Sequence, residues 1–333
     1  MYIISDTHIS AVRSAGTSPA SARALREHLL SSFKDLLDRA DEDVILNGDI
    51  FDSSNVSMTD LLETYNIILN WLAKGYNLTI VVGNHDLYTD TSKLSSLQFM
   101  AALLAKEPNV TYVSGGMRLS DEIYIISHVH NQDMFDLELS KVPTCKYLLL
   151  HCNYDNPFSK HLDNSLDLSE QQALDCKAEY IVLGHEHHTR KALGGKVFIP
   201  GNQIASSIAD CIGGHDKYMT HLGYKPELVK VWDSATNYAE IDWRNPVTSD
   251  AQFIRFIGHC TPAEAADMAD VIARYRKNSD AFVVSNAVRV GNDDEADTIN
   301  LDSLEAISKF SVMDALKEYL SVEDVKILES LNA

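Results

Sequence analysis

Five polar motifs in this chain each stand directly behind a short apolar run. Asp6-Thr7-His8 follows Met1-Tyr2-Ile3-Ile4, and Gly48-Asp49-Ile50-Phe51-Asp52 follows a run starting at Val44. Gly83-Asn84-His85-Asp86 follows Leu78 to Val82, His151 follows Tyr147 to Leu150, and Gly184-His185-Glu186-His187 follows Tyr180 to Leu183. Apolar runs of this length that stop at a glycine or a polar residue read as buried strands. Helical spacing separates the early ones: Leu25, Leu29, Leu30, Phe33, Leu36 and Leu37 within Ser21 to Ala40, then Leu61, Leu62, Tyr65, Ile68, Leu69 and Leu72 within Thr59 to Lys74. Leu94 to Lys106 also looks helical. Strands alternating with helices build a layered α/β core, and such sheets gather ligands beyond the carboxyl ends of their strands. The later strands, Val110 to Val113, Ile123 to Ser127 and Val197 to Ile199, are more closely spaced, which predicts a mixed sheet.

A second unit is expected from about Asp250. Phe253 to Ile257 alternates like a half-buried strand, and Thr261-Pro262-Ala263-Glu264 is a helix start with Thr as N-cap, Pro at N1 and Glu at N3. That helix should run to about Lys277 and be followed by one strand over Ala281 to Val290. The reading divides the chain into a core of residues 1–249, a strand–helix–strand unit of 250–291, and a third part of 292–333. This third part holds an acidic linker and a helical tail with Met313, Leu316, Leu320, Val325 and Leu328 as its apolar positions.

The 333 residues suffice for a large core and a smaller second unit. No apolar stretch approaches the roughly 20 residues that span a bilayer. The opening residues lack a basic segment and a cleavage site, so no signal peptide is read. Five cysteines (Cys145, Cys152, Cys176, Cys211 and Cys260) form no CxxC pair, which argues against a disulfide framework and for a reducing, cytoplasmic setting. A net charge of −20 opposes simple binding to a phosphate backbone. Arg13, Arg23, Arg26, Lys160, Arg190 and Lys191 are the cations near the motifs and read first as ordinary solvated charges.

The motifs carry carboxylates, imidazoles and one amide, a donor mixture suited to two adjacent divalent cations. Asp6 and His8 are two apart, so in extended backbone both would face one metal, as would His185 and His187. Asp49 can bridge two metals with its two oxygens, Asn84 offers a neutral carbonyl oxygen, and His151 completes the second metal. His85 is expected to face the substrate and give a proton to the leaving group, with Asp86 orienting it. A hydroxide held by the two ions would be the nucleophile. Manganese matches a carboxylate- and amide-rich set best, with iron, zinc and magnesium as alternatives. His128 and His130 read as structural or substrate-facing, His188 as an unused neighbour. Asp210 to Tyr224 fits no pattern, and its His215 and His221 read as surface residues.

The ordered set resembles the calcineurin-like metallophosphoesterase superfamily over about residues 3 to 202. That resemblance implies a metallophosphoesterase core of mixed β-sheets flanked by helices. It places Asp6, His8, Asp49 and His187 on one metal, Asp49, Asn84, His151 and His185 on the other, and makes His85 the catalytic histidine. Within the superfamily the layout looks like the nuclease subunit of the SbcC–SbcD complex, the Mre–Rad repair family and its T4-type phage counterpart. Gly83-Asn84-His85-Asp86-Leu87-Tyr88 runs on toward Pro108-Asn109-Val110, Pro200-Gly201-Asn202 follows the last motif, and Phe253 to Val290 looks like a small α/β DNA-capping domain. The implications are DNA as substrate, an SMC-like ATPase docked by the tail helix, and a homodimer through helices near the second and third motifs. The compact capping region fits a phage-encoded protein. Two departures stand out: Asp52 where many members carry His, and Gly201-Asn202 without the usual proline. A stand-alone phosphodiesterase or phosphatase for a small molecule or phosphoprotein is the alternative, and a metal-bearing scaffold a third, which an intact His85 disfavours.

Overall fold

The computed structural model describes residues 1–12, 14–16, 18–156, 165–211, 216–232 and 237–291. The chain begins with β1 (Tyr2–Ile4), α1 (Pro19–Arg39), β2 (Val44–Asn47), α2 (Met58–Leu72), β3 (Leu78–Val81), α3 (Ser96–Leu104) and β4 (Val110–Val113). It continues through β5 (Gly116–Arg118), β6 (Ile123–Ile126), α4 (Gln132–Ser140), β7 (Cys145–His151), β8 (Asn153–Tyr154), β9 (Asp167–Leu168), α5 (Glu170–Asp175) and β10 (Ala178–Gly184). Then follow β11 (Arg190–Ala192), β12 (Val197–Ile199), β13 (Lys217–Leu222) and β14 (Pro226–Trp232). The last described elements are β15 (Tyr238–Asp242), β16 (Phe253–Ile257), β17 (His259–Cys260), α6 (Ala265–Asn278), β18 (Phe282–Asn286) and β19 (Arg289–Val290).

Two six-stranded sheets result, ordered β14-β13-β1-β2-β3-β4 and β11-β12-β10-β7-β6-β5. Both are mixed: β1 to β4 are parallel, whereas β13 joins β1 antiparallel and β11 joins β12 antiparallel. The period of two along each strand sorts side chains into layers. Ile3, Ile45 and Val81 of the first sheet meet Ile125, Leu149, Val182 and Phe198 of the second. The alternate residues Ile4, Leu46 and Ile80 pack under Leu29 and Phe33 of α1, Ile68 and Trp71 of α2 and Met100 of α3. On the outer face of the second sheet, Leu148, Leu150, Ile181 and Leu183 pack with Phe135 of α4 and Ala173 of α5. The architecture is a four-layer α/β/β/α stack. Helix starts follow capping chemistry: Ser18 precedes Pro19 at α1, Ser57 caps α2, and Ser95 and Gln98 form a reciprocal box at α3.

The smaller unit is a parallel three-stranded sheet, β15-β16-β18, so a strand from before residue 250 joins the expected strand–helix–strand. Met268, Ile272 and Tyr275 of α6 cover its face against Ile254 and Phe256. The single strand expected over Ala281 to Val290 is instead two, because Asn286 Oδ1 accepts from the Val288 N–H at 3.0 Å and turns the chain. The other face joins the core: Tyr238 and Phe253 stack with ring centroids 5.0 Å apart and belong to the main apolar cluster. Gly16 (φ +70°) lets the core backbone touch this sheet, since a Cβ there would lie 2.9 Å from the Val284 carbonyl oxygen. The expected acidic linker and tail helix of 292–333 lie outside the described residues. No helix among the described residues is long and apolar enough to cross a membrane.

Candidate metal centre

The parallel register of the second sheet sets Gly184 opposite His151, and that of the first aligns Ile4 with Leu46 and Asn47 with Val81. All five motifs therefore leave the sheets at one end. They do not leave in extended form. Asp6 (φ 54°), His8 (φ 43°), Asp49 (φ 49°) and His185 (φ 91°) all take the left-handed region, which costs non-glycine residues energy and persists only where neighbours enforce it. Backbone bonds enforce it here: Asp6 N–H to Gly48 O at 3.1 Å, His8 N–H to Asp49 O at 3.0 Å, and Asp52 N–H back to Ile9 O at 3.0 Å. The expectation that Asp6/His8 and His185/His187 share a side through extended geometry is thus corrected. His187 joins Asp6 and His8, whereas His185 joins Asp49 and His151, each group having donor atoms within 4.8 Å of one another.

The motif glycines are clearances. A Cβ on Gly48 would stand 2.2 Å from His151 Nδ1, and one on Gly184 would stand 2.8 Å from the same atom. A Cβ on Gly83 would stand 2.2 Å from Asp49 Oδ1.

Asp49 links the two groups. Its Oδ2 lies 3.2 Å from His151 Nε2 and 3.9 Å from His8 Nε2, while its Oδ1 accepts from the His85 backbone N–H at 2.9 Å. Asn84 Oδ1 sits 3.2 Å from His151 Nε2 and 3.0 Å from His185 Nδ1. Three rings are oriented by acceptors, which fixes their Nδ1 as the protonated nitrogen. His151 donates to Asn47 O at 2.8 Å, His187 to Asp210 Oδ1 at 2.8 Å, and His85 to Asp52 O at 2.7 Å. His8 Nδ1 lies 3.3 Å from Asp52 Oδ1 without the alignment of a hydrogen bond. Burial would raise the Asp49 carboxyl, but His151 and His8 hold it well below the ordinary carboxylate value. Burial conversely lowers His151, and the Asp49 carboxylate outweighs it, bringing the imidazole to about 10.

The donor set fits divalent cations. His8 Nε2 and His187 Nε2 face each other at 3.1 Å, and His187 already spends its N–H on Asp210. Two imidazole lone pairs at that separation require a shared proton or a cation, and here two buried carboxylates stand beside them. His85 completes a third grouping with His8 and Asp49, and its ring meets His8 edge-on at 5.0 Å. His8, Asp49, His85, His185 and His187 line a cleft of about 330 Å³.

Asp86 does not orient His85. Its carboxylate is fully buried and accepts from the backbone N–H groups of Gly83 (2.9 Å) and Phe51 (3.3 Å), tying the second motif to the third. Burial and neighbouring Asp49 raise its pKa to about 6. Glu186 is likewise structural, taking the Tyr154 N–H at 2.8 Å and Arg190 at 2.7 Å. Arg190 and Arg26 are thereby engaged internally, Arg26 with Asp60 and Glu63. Arg13, Lys160 and His215 lie outside the described residues, and His221 contacts Glu42 at 3.2 Å at the surface.

Sequence reasoning missed the layer behind His187. Asp210 also accepts from the N–H groups of Ser206 (3.0 Å) and Ser207 (2.9 Å). Lys217, only 2 % exposed, donates to Asn202 Oδ1, and the Asn202 N–H reaches His187 O at 3.3 Å. Asp210 lies 23 residues beyond its partner in a segment without periodicity, so no local signal marked it.

Two face-to-face sheets between helices, with acidic, imidazole and amide donors gathered at their strand ends, define an α/β phosphoester hydrolase. Residues 1–189 match the calcineurin-like phosphoesterase family, and the chain belongs to it. This family uses centres of two metal ions, and the donor groups above are the candidates for them. The chain is also 28 % identical over 204 residues to the DNA double-strand break repair protein Mre11 of Methanosarcina acetivorans. The aligned stretch is 57 % of this chain and 31 % of that protein, so the chain spans about a third of its relative's length.

Proposed function

We propose that the chain is a dimetal-dependent DNA nuclease, the hydrolytic subunit of an SbcC–SbcD-like assembly. The observation that carries the reading is Asp49 Oδ2 shared between His151 and His8, with His85 beside it on the same cleft. Asp6, His8, Asp49 and His187 would hold one ion, and Asp49, Asn84, His151 and His185 the other. Bound there, two divalent ions supply Lewis acidity toward a phosphodiester and activate water. Manganese suits this oxygen-rich set. The Asp52 carbonyl anchors His85 by Nδ1, leaving Nε2 toward the cleft to hold the proton that passes to the leaving oxygen. Asp49 Oδ1, bonded to the His85 amide, keeps that ring in register with the ligands.

DNA as substrate draws support from the repair relative. The net charge of −20 then calls for a partner that supplies cationic surface, and an SMC-like ATPase fits that need. A homodimer draws support from apolar side chains left uncovered around α2 and α3: Met58 (68 % exposed), Leu62 (55 %) and Leu94 (63 %). The cytoplasm suits five free cysteines among the described residues. The second reading, a stand-alone phosphodiesterase or phosphatase, is favoured by the acidic charge and by the internal engagement of Arg26 and Arg190.

The test is manganese-dependent cleavage of linear duplex and single-stranded DNA by the native chain and His85→Ala, with bis-p-nitrophenyl phosphate alongside. DNA cleavage lost in the variant supports the nuclease. Turnover of the ester with DNA untouched, with and without an SMC-like ATPase, overturns it in favour of the second reading.

A further inference from the structure

Asp52 faces the Nδ1 atoms of two histidines. Its backbone carbonyl accepts from His85 Nδ1 at 2.7 Å, and its Oδ1 lies 3.3 Å from His8 Nδ1. The two rings meet edge-on with centroids 5.0 Å apart. The first of these contacts is a hydrogen bond. The second has the distance of one but not the alignment, and His8 Nδ1 is a buried nitrogen without a hydrogen-bond partner.

That nitrogen sets His8 apart. His151, His187 and His85 each have an acceptor for Nδ1: Asn47 O, Asp210 Oδ1 and Asp52 O. His8 turns its other nitrogen, Nε2, to His187 Nε2 at 3.1 Å, so Nε2 is the atom offered to a cation. An imidazole that ligates through Nε2 carries its proton on Nδ1. A buried N–H left without an acceptor costs free energy, and metal-bound imidazoles almost always give that proton to a carboxylate, a carbonyl or water. Among the described residues, the group placed to receive it is the Asp52 carboxylate.

The carboxylate can close the gap without moving the chain. The Asp52 backbone is pinned, with its N–H on Ile9 O at 3.0 Å and its carbonyl on His85. Its side chain is 22 % exposed at the cleft, and among the described residues no lysine or arginine pairs with it. A turn about its own side-chain torsions therefore brings Oδ1 into line with the His8 N–H.

We propose that Asp52 is a positioning residue that joins the ion position of His8 and His187 to His85: with a divalent cation on His8 Nε2, the Asp52 carboxylate holds the His8 Nδ1 proton while the carbonyl of the same residue holds His85. The assignment rests on the two-metal reading of the cluster. A residue tied at both its side chain and its carbonyl restrains His85 more firmly than one tied at the carbonyl alone. Filling the His8–His187 position therefore also orders the histidine that serves the leaving oxygen.

The experiment compares the full native chain with Asp52→Ala, which removes the acceptor, and Asp52→Asn, which keeps an acceptor oxygen without the charge. Circular dichroism checks that each variant is folded. The first readout is manganese titration followed by electron paramagnetic resonance. Asp52→Ala should weaken one of the two positions by about 10- to 100-fold and change the other by less than about 3-fold, with Asp52→Asn between that variant and the native chain. The second readout is the imidazole N–H region of the NMR spectrum as the chain is loaded with zinc, which is diamagnetic. In the native chain the His8 Nδ1–H signal should appear, and the His85 signal sharpen, as zinc is added. Asp52→Ala should lose the first and leave the second broad, and Asp52→Asn should recover both. Unchanged manganese affinities in Asp52→Ala overturn the proposal, as does a His8 signal that survives in that variant or a native His85 signal that zinc does not sharpen. Turnover of bis-p-nitrophenyl phosphate by the native chain reports separately on the hydrolase. The affinity loss and its NMR signature without turnover keep Asp52 in its role and remove the enzyme, and turnover with unchanged affinities does the reverse.

Discussion

His187 Nδ1 donates to Asp210 Oδ1 across 2.8 Å, and that carboxylate is itself held by two backbone N–H groups. Burial would raise the Asp210 pKa, yet His187 and Lys217 keep it well below the ordinary carboxylate value. A fixed anion behind an imidazole makes its far nitrogen a better ligand. His151, in contrast, leans on the neutral carbonyl of Asn47. The two candidate metal positions are therefore unequal in their support, and the one containing His187 should bind more tightly. Asp210→Asn should weaken that position by about 10- to 100-fold and leave the His151 position nearly as it was. Manganese titration followed by electron paramagnetic resonance, counting free ion, resolves the two affinities; an equal loss at both would defeat this view.

Lys217 is the cation that accompanies Asp210 in the interior. Burial lowers its pKa and Asp210 opposes that. Lys217→Met keeps the length and removes the charge, leaving Asn202 Oδ1 without its donor and Asp210 without a nearby cation. We expect a loss of about 2–4 kcal/mol in unfolding free energy, from the range for breaking a buried charged partner. Urea midpoints measured without metal check it, and a change below about 0.5 kcal/mol would show that water replaces the ammonium.

Gly83→Ala places a methyl 2.2 Å from Asp49 Oδ1. The carboxylate must move, and it is the link between the two donor groups. The expected outcome is loss of both metal affinities with the fold retained, read by circular dichroism beside a metal titration. Gly48→Ala adds a left-handed φ of 87° to a clash with His151 and should unfold the protein more readily.

Away from the cluster, His28 of α1 sits between Ser32 and Asn237, whose Nδ2 lies 2.9 Å from its Nδ1. Burial lowers its pKa from the ordinary 6.5 to about 4. The neutral ring is therefore favoured in the folded state, and its contribution is complete above pH 6.5 and lost as pH falls from 6.5 toward 4. The ceiling is about 3 kcal/mol at 1.36 kcal/mol per unit. His28→Gln should flatten the fall in stability between pH 7 and pH 5 relative to the native chain; parallel slopes in the two proteins would contradict it.

The strands that carry the motifs were legible because each is a short apolar run closed by a glycine or a polar residue, as Leu78 to Gly83 shows. Gln132–Ser140 and Glu170–Asp175 were not, being helices of few turns with little apolar periodicity. Nor was β13, whose Lys217 reads as a surface cation and is buried. Asp6, His8, Asp49, Asn84, His151, His185 and His187 could be picked out as candidate donors because metal chemistry restricts residue type, and the structure gathers them at one end of the sheets. The manner in which Asp6 and His8 converge could not, because their left-handed turn depends on carbonyls of Gly48 and Asp49 some forty positions away. Asp86 was misassigned for the same reason: its partners Phe51 and Gly83 are set by tertiary packing, not by its place beside His85.

The strand order also bears on how the molecule is made. The first strand, Tyr2–Ile4, lies between Val44–Asn47 and Lys217–Leu222, and its His8 meets His187 from 179 positions later. A chain emerging from a ribosome presents its opening strand long before the second neighbour exists. One edge of that strand stays unpaired through the synthesis of more than half the protein, open to association with other nascent chains. His8 and His187 stand 179 positions apart on different sheets, so the capacity to capture metal arises only when the two sheets pack together. Uptake of manganese during refolding should then lag behind the recovery of helix signal, and would serve as a clock for the docking of the two sheets.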